Sequence, residues 1–201
     1  MSNPYCGTGL TDPGLTEVPY PSVDADAPRA LLKRCPHAAV TQLTSAPDMA
    51  AALGVSQLHI KDERTRMGLG SFKALGAAYV IACDAEEGTA RGATYVTASA
   101  GNHGLSVAAG ASAFGAEAVG YLADTVPESF ADRLRSVGAQ VVRAGSDYEA
   151  SMDAAMQGAA EMGAVLLSDS SWPGYTARPH RLMEGYLALM AEVFEQIDVP
   201  P

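Results

Sequence analysis

The chain is poor in positive charge. Its 201 residues hold 13 Lys and Arg against 23 Asp and Glu, a formal net charge of −10. With no surplus of cations to displace counterions, nucleic acid and anionic membrane surfaces are excluded as main partners. Lysine is rarer still: Lys33, Lys61 and Lys73 are the complete set, the other cations being Arg. Cysteine is scarce and odd in number. Cys6, Cys35 and Cys83 lie far apart, form no CxxC pair and have no His spaced to complete a zinc site. Neither a disulfide framework nor a metal site is expected, and free thiols suit a reducing, cytoplasmic setting. Long apolar runs are missing too, none reaching the ~18 residues of a membrane span. The first residues, Met1 to Cys6, lack the basic and apolar regions of a signal peptide. What is present is core material: 48% hydrophobic and 18% charged residues, enough for one large or two small domains.

Residues 1–30 carry Pro4, Pro13, Pro19, Pro21 and Pro28 with little periodicity and read as an extended arm. A short helix over Pro47–Leu53 follows. From Gln57 the pattern alternates. Strands are expected over Gln57–Lys61, Ala93–Thr97, Ala118–Leu122, Gln140–Arg143 and Val165–Leu167. Helices are expected over Ser71–Ala85, Asn102–Phe114, Pro127–Val137, Tyr148–Met162 and Pro179–Ile197. Repeated βαβ units of this kind imply an α/β fold with a parallel sheet covered by helices. Thr125 to Glu128 and Ser146 to Glu149 match the capping box, with Pro127 suited to a first helical position. Met152, Ala155, Met156, Ala159 and Met162 share one helical face, as do Leu182, Tyr186, Leu189, Val193 and Ile197. Both stripes read as core-facing, the methionines as packing rather than as a ligand surface.

Two segments carry chemistry. Lys73 stands in Gly68-Leu-Gly-Ser-Phe-Lys-Ala-Leu-Gly76, at the start of a helix with an apolar face of Phe72, Leu75, Tyr79 and Ala82. A cation in the first turn opposes the helix dipole, and apolar neighbours strip its hydration. Both effects favour the uncharged amine, the form that condenses with a carbonyl. The alternative is a lysine that snorkels to water. The second segment, Ser99-Ala-Gly-Asn-His-Gly104, follows one expected strand directly and opens a helix rich in Gly and Ala. Small residues there let backbone N–H groups approach an anion such as a carboxylate. It matches neither a Walker A sequence nor GxGxxG, so no nucleotide site follows. A ligand-free strand-to-helix turn is the competing reading, and His103 alone reads as structural.

Together these segments resemble the fold-type-II (tryptophan synthase β-like) pyridoxal-phosphate enzymes. Within that group the chain is most similar to the diaminopropionate ammonia-lyases. The residues that carry the likeness are Lys61-Asp-Glu-Arg64, Arg66 to Tyr79, Gly101-Asn-His-Gly104 and Ser168-Asp-Ser-Ser-Trp-Pro-Gly-Tyr175. It runs from about Leu58 onward. The resemblance implies parallel α/β sheets, pyridoxal 5′-phosphate held covalently by Lys73, and Phe72 beside the cofactor. It also implies the Asn102 amide on the pyridine 3-oxygen and a substrate carboxylate in the Ser99, Ala100, Gly101, Asn102, His103 turn. Asp169 matches the acidic residue used near the substrate Cα; a turn Asp before Pro173 and Gly174 is the other reading. The implied chemistry is α,β-elimination of ammonia, or water, from a small amino acid, giving a 2-oxo acid.

Two departures bear on that expectation. The ammonia-lyases place an Asp before Gly-Asn-His as a second base for the opposite substrate enantiomer. Ala100 occupies that position here, so elimination is expected on one enantiomer only, or on a β-hydroxy amino acid. The family is also roughly twice this length, with its glycine-rich phosphate loop in the other half. The expected organisation is an arm and part of a large domain over 1–82, a small domain over 83–164, and a return segment over 165–201. A second polypeptide or paired subunit, in a homo- or hetero-oligomer, would complete the enzyme. A catalytically inactive binding or regulatory module, or a generic α/β protein binding a small anion, are the alternatives.

Overall fold

The computed structural model describes residues 20–198. Most of the expected arm, including Cys6, lies outside these residues, as do residues 199–201. Residues 20–25 have no regular secondary structure, but from Asp26 the expected arm gives way to helix α1 (Asp26–Leu32), with Pro28 buried in its first turn. Proline is tolerated there because the first N–H groups of a helix have no partner to lose.

A short antiparallel pair follows, β1 (Leu43–Ser45) against β2 (His59–Lys61). The sequence pattern points to β2 but not to β1, since Leu-Thr-Ser is too short to show alternation. Between them α2 (Pro47–Leu53) starts on Pro47 and ends on Gly54 at φ 67°, the two residue types that start and stop a helix most sharply.

The main body is a four-stranded sheet with helices on both faces. Its strands are β3 (Thr94–Thr97), β4 (Glu117–Leu122), β5 (Gln140–Arg143) and β6 (Val165–Leu166), in the order β5-β4-β3-β6. Every pairing is parallel, as the βαβ alternation implies. The linking helices are α4 (Asn102–Ala113), α5 (Glu128–Ser136) and α6 (Tyr148–Met162), with α3 (Lys73–Glu86) before β3 and α7 (Ala177–Gln196) after β6. Strand alternation divides the core. Tyr95 and Leu122 point to α3, α4 and α5, among Val80, Ile81, Leu105, Val107 and Leu134. Val96 and Val119 point to the opposite face, against Ala155 and Ala159 of α6. Met152 packs beside that second cluster, whereas Met162, at the end of the expected stripe, is exposed.

Helices α3 and α7 meet through glycines. A Cβ on Gly185 would sit 2.5 Å from the Leu75 carbonyl oxygen, and one on Gly76 would sit 2.6 Å from the Tyr186 ring. Only backbone without side chain permits that approach. Leu182, Gly185, Ala188 and Glu192 accordingly form the buried line of α7, rotated from the expected stripe because small residues, not large ones, mark the contact.

Neither capping box forms as its sequence suggests. The α5 N-cap is Pro127. Thr125 Oγ1 donates to the Ser146 carbonyl instead, and Glu128 pairs with Arg135 and Arg143 at 2.6 and 2.5 Å. For α6 the cap is Asp147, whose Oδ1 accepts from the Ala150 N–H at 2.9 Å. The shorter Asp outcompetes Ser146, which donates to Asp147 itself.

Candidate functional site

The topology alone brings two distant segments together. Because β3 and β6 are parallel neighbours, their carboxyl ends share one edge of the sheet. The Ser99 to Gly101 turn leaves β3 there, and Leu167, Ser168 and Asp169 leave β6 there. Open parallel sheets place ligand clefts at this edge.

Asp169 meets Lys73 across it. Lys73 Nζ donates to Asp169 Oδ2 at 2.8 Å, with side chains 30% and 25% exposed. Lys73 is the first residue of α3 and lies among aromatics, its Nζ 5.6 Å from the Phe72 ring centre and 5.8 Å from that of Tyr186. The expected apolar surroundings are therefore present, but the amine carries a carboxylate partner rather than standing bare. That partner is 96 residues away in sequence, beyond any local pattern. Burial pushes the Asp169 carboxyl up, yet the hydrogen bond and charge of Lys73 pull it down, and the group lies below its usual range.

His103 is the second residue of α4 and is buried. Its Nε2 lies 3.0 Å from the Leu167 carbonyl oxygen. A carbonyl only accepts, so Nε2 carries the proton and Nδ1 is a bare acceptor. Burial pushes this ring below the usual imidazole value against the pull of Asp169 and the Leu167 bond. The ring ties the start of α4 to the backbone that presents Asp169, which agrees with the structural reading of His103.

Tyr175 ties the same backbone from the other side. Its hydroxyl accepts from the Ser168 N–H at 3.0 Å and donates to the Leu166 carbonyl at 2.9 Å. Its ring stacks on Trp172, with centres 4.3 Å apart. The Trp-Pro-Gly-Tyr segment is thus a small folded loop that holds residues 166–168 in place.

The remaining candidates line the same edge. Gly101 is the N-cap of α4 and gives no side-chain cap, which leaves the first N–H groups of that helix open to an anion. Ser99 Oγ accepts from the Gly101 N–H. Ala100 is half-buried; Asn102 is exposed at the first helical position, as is Phe72 at the start of α3. Gly104 is required by the turn, because a Cβ there would collide with the Ser99 carbonyl oxygen.

Sequence reasoning missed three contributors. Arg66 is fully buried and holds the loop before Lys73. Its guanidinium bonds Glu63 at 2.8 Å, Glu192 of α7 at 2.9 and 2.7 Å, and the Ala39 carbonyl at 2.9 Å. Lys61 completes this group, 2.8 Å from Glu192. Directly after Arg66 the chain turns left-handed at Met67 (φ 51°), Gly68 (φ 72°) and Gly70 (φ 85°), so the glycines of the lysine segment serve the turn. Asp84 is the second contributor, accepting from Tyr95 at 2.8 Å and pairing with Arg178 at 2.9 Å, which joins α3, β3 and α7. Tyr186 is the third, assigned from sequence to the core face of α7; its ring packs edge-on against Phe72, 5.1 Å between centres. Only its length of separation from Lys73 concealed it.

The arrangement fits a cofactor that presents an aldehyde to an amine. Lys73 is reachable, with 30% of its side chain exposed, and two buried polar atoms, His103 Nδ1 and Tyr186 Oη, have no hydrogen-bond partner. Among the described residues no group of His, Cys, Asp and Glu is placed to hold a metal ion, and no helix is long and apolar enough to cross a membrane. A separate apolar cavity of 660 Å³, lined by Leu31, Cys35, Leu69, Tyr79 and Phe114 among others, contains none of the candidate residues.

Known proteins resemble this chain in sequence and in fold. A family model described as "Pyridoxal-phosphate dependent enzyme" matches residues 35–201. Diaminopropionate ammonia-lyase of Salmonella typhimurium is 32% identical over 188 residues, covering 84% of this chain and 46% of that protein. L-threonine ammonia-lyase of Thermotoga maritima is 36% identical over 111 residues, 55% of this chain and 27% of that protein. The crystal structure of Escherichia coli diaminopropionate ammonia lyase, in complex with an aminoacrylate-PLP azomethine intermediate, superposes with a TM-score of 0.81 at 30% identity. That match covers 88% of this chain and 49% of the other. The chain spans about half the length of the curated diaminopropionate ammonia-lyases it matches.

Proposed function

Because the chain belongs to the pyridoxal-phosphate-dependent enzyme family, we propose that it is the lysine-bearing half of a lyase that eliminates ammonia, or water, from a small amino acid. The family's cofactor is pyridoxal 5′-phosphate, which when bound withdraws electrons from the substrate Cα and makes its proton acidic. The observation that carries this reading is the Lys73–Asp169 pair, 2.8 Å apart at the carboxyl edge of a parallel sheet.

Each residue then has a task. Lys73 Nζ would hold the cofactor and, when free, would take the Cα proton and pass it to the departing amine or hydroxyl. Asp169 Oδ2 orients that amine and stands near the substrate Cα. The open N–H groups at the start of α4 receive the substrate carboxylate, with Ser99 and Ala100 lining the turn, while Asn102 and Phe72 contact the cofactor ring. Ala100 has no proton to exchange, so one substrate enantiomer is turned over. Polypeptide equivalent to the other half of the relatives completes the enzyme within an oligomer, and the free thiols of Cys35 and Cys83 suit the cytoplasm.

Reduction with borohydride after mixing the chain with pyridoxal phosphate tests this reading. Peptide mapping should find the label on Lys73 in preference to Lys33 and Lys61; random or absent labelling overturns it. A polypeptide carrying a glycine-rich loop should co-purify with the active form. Comparable turnover of both diaminopropionate enantiomers would remove the role assigned to Ala100.

A further inference from the structure

Helix α7 is apolar on two sides. One side, along Leu182, Gly185, Ala188 and Glu192, is its buried line. Met183, Leu187, Met190 and Phe194 are spaced i, i+4, i+7 and i+11, which puts them on the side away from Gly185, Ala188 and Glu192. Met183, Met190 and Phe194 are exposed, Phe194 by 61%, and Leu187 is half-buried. A surface helix usually keeps one apolar stripe for its core and turns polar residues outward. Single exposed apolar residues mean little, but four large ones on successive turns form a contact surface without a partner among the described residues.

The stripe is continuous with two other open features. Near its end, Gln196 Nε2 donates to the Thr41 carbonyl at 2.9 Å and Lys61 Nζ lies 2.8 Å from Glu192. These bonds fix the β1–β2 pair beside the last turns of α7. Among the described residues that pair is a sheet of two strands only, with Ile60 exposed, and two strands alone are marginal in water. In its middle, Tyr186 stands three residues from Met183 and four from Met190, and packs against the exposed Phe72 next to Lys73.

Resting on the reading above, we infer that the α7 stripe and the β1–β2 edge are the docking surface for polypeptide equivalent to the half of the ammonia-lyases that this chain does not match. The Escherichia coli relative superposes over 49% of its own length, so its remaining half must meet this fold somewhere. The stripe is apolar, open and adjacent to the lysine, and the unpaired strands beside it can accept a further strand. A partner seated there also lies against Phe72, so docking borders the Lys73–Asp169 pair and restricts water around it. A second copy of this chain fits less well: it carries the same net charge of −10 and repels its twin.

The test co-expresses the full chain with the unmatched half of the Escherichia coli diaminopropionate ammonia-lyase and reads association by analytical ultracentrifugation. A one-to-one complex is expected. M190E/F194E alters exposed positions only, so alone it should melt with the parent, while its binding should weaken at least about thirtyfold. M162E puts the same charge on an exposed methionine of α6 and should bind as the parent does. Equal binding by M190E/F194E and the parent overturns the inference, as does equal weakening by M162E. A parent that binds no half, or that dimerises alone through the stripe, also overturns it. So does a lower melt of M190E/F194E, because the stripe is then covered within the chain. Borohydride labelling of Lys73 in the complex is scored separately: a complex that needs the stripe but takes no label there overturns the lyase reading and leaves the docking surface standing.

Discussion

Replacing Arg66 by Met should destabilise the protein more than any surface change, and the structure gives the size. The guanidinium is fully buried and makes charge-assisted bonds to two carboxylates, Glu63 and Glu192. With Lys61 the group is neutral, two cations facing two anions. In R66M those anions face only Lys61, whose Nζ lies 2.8 Å from Glu192. Removing one member of a buried ion pair costs about 3–5 kcal/mol, against a whole-protein stability of about 5–15 kcal/mol. That corresponds to about 6–20 °C in melting temperature for a chain of this size. Urea denaturation read by circular dichroism measures it. The double variant R66M/E192L should lose less than the sum of its parts, because both charges leave together.

The same group sets a pH dependence. Burial pushes the Glu192 carboxyl up, but Arg66 and Lys61 outweigh it and hold it below its ordinary 4.5. A depressed folded value means this stability is complete above the unfolded value and is lost as pH falls through the folded one. R66M should therefore flatten the decline in stability below about pH 4.5. A loss under about 1 kcal/mol, or an unchanged acid limb, would refute the reasoning and make the cluster no more than packing.

Three further outcomes are expected. G104A should cost about 1–3 kcal/mol and loosen the Ser99 turn, because its new methyl group meets backbone that cannot move aside; a thermal melt checks it. Y175F should cost about 1–3 kcal/mol by leaving the Ser168 N–H and Leu166 carbonyl unpaired, and should raise amide exchange locally at Ser168. D169N in the completed enzyme should lower kcat about 10²–10⁴-fold while leaving pyridoxal phosphate on Lys73; an unchanged rate would return Asp169 to a turn-forming role.

Much of the parallel architecture was legible because it rests on local period. Tyr95 and Val96 point to opposite faces, as do Ala118 and Val119, and the helices between them are long enough to declare themselves. The helix α1 was hidden by proline, read as an arm although Pro28 sits where a helix tolerates it. The lysine and the Ser99 turn were visible as short motifs. Their meeting with Asp169 was not, because it depends on β6 lying beside β3, a pairing without a local signature. The Arg66 cluster was hidden for the same reason: Glu63 is three residues away, but Glu192 is 126. Thr125 and Ser146 misled in the opposite direction, since a motif that satisfies a cap on paper was outbid by Asp147 and by arginines from β5 and α5.

Strand β6 has only two residues in the ladder, yet it delivers the acid of the candidate site. Past Leu166 the backbone is steadied by two rings, an imidazole from α4 and a phenol from its own loop, and by one bond from the Leu167 N–H to Val96. Leu167 and Ser168 are themselves buried, so the segment is fixed by these ties although its ladder is short. The aim of the Asp169 carboxylate is therefore set by packing across α4 and the Trp172 loop more than by strand pairing.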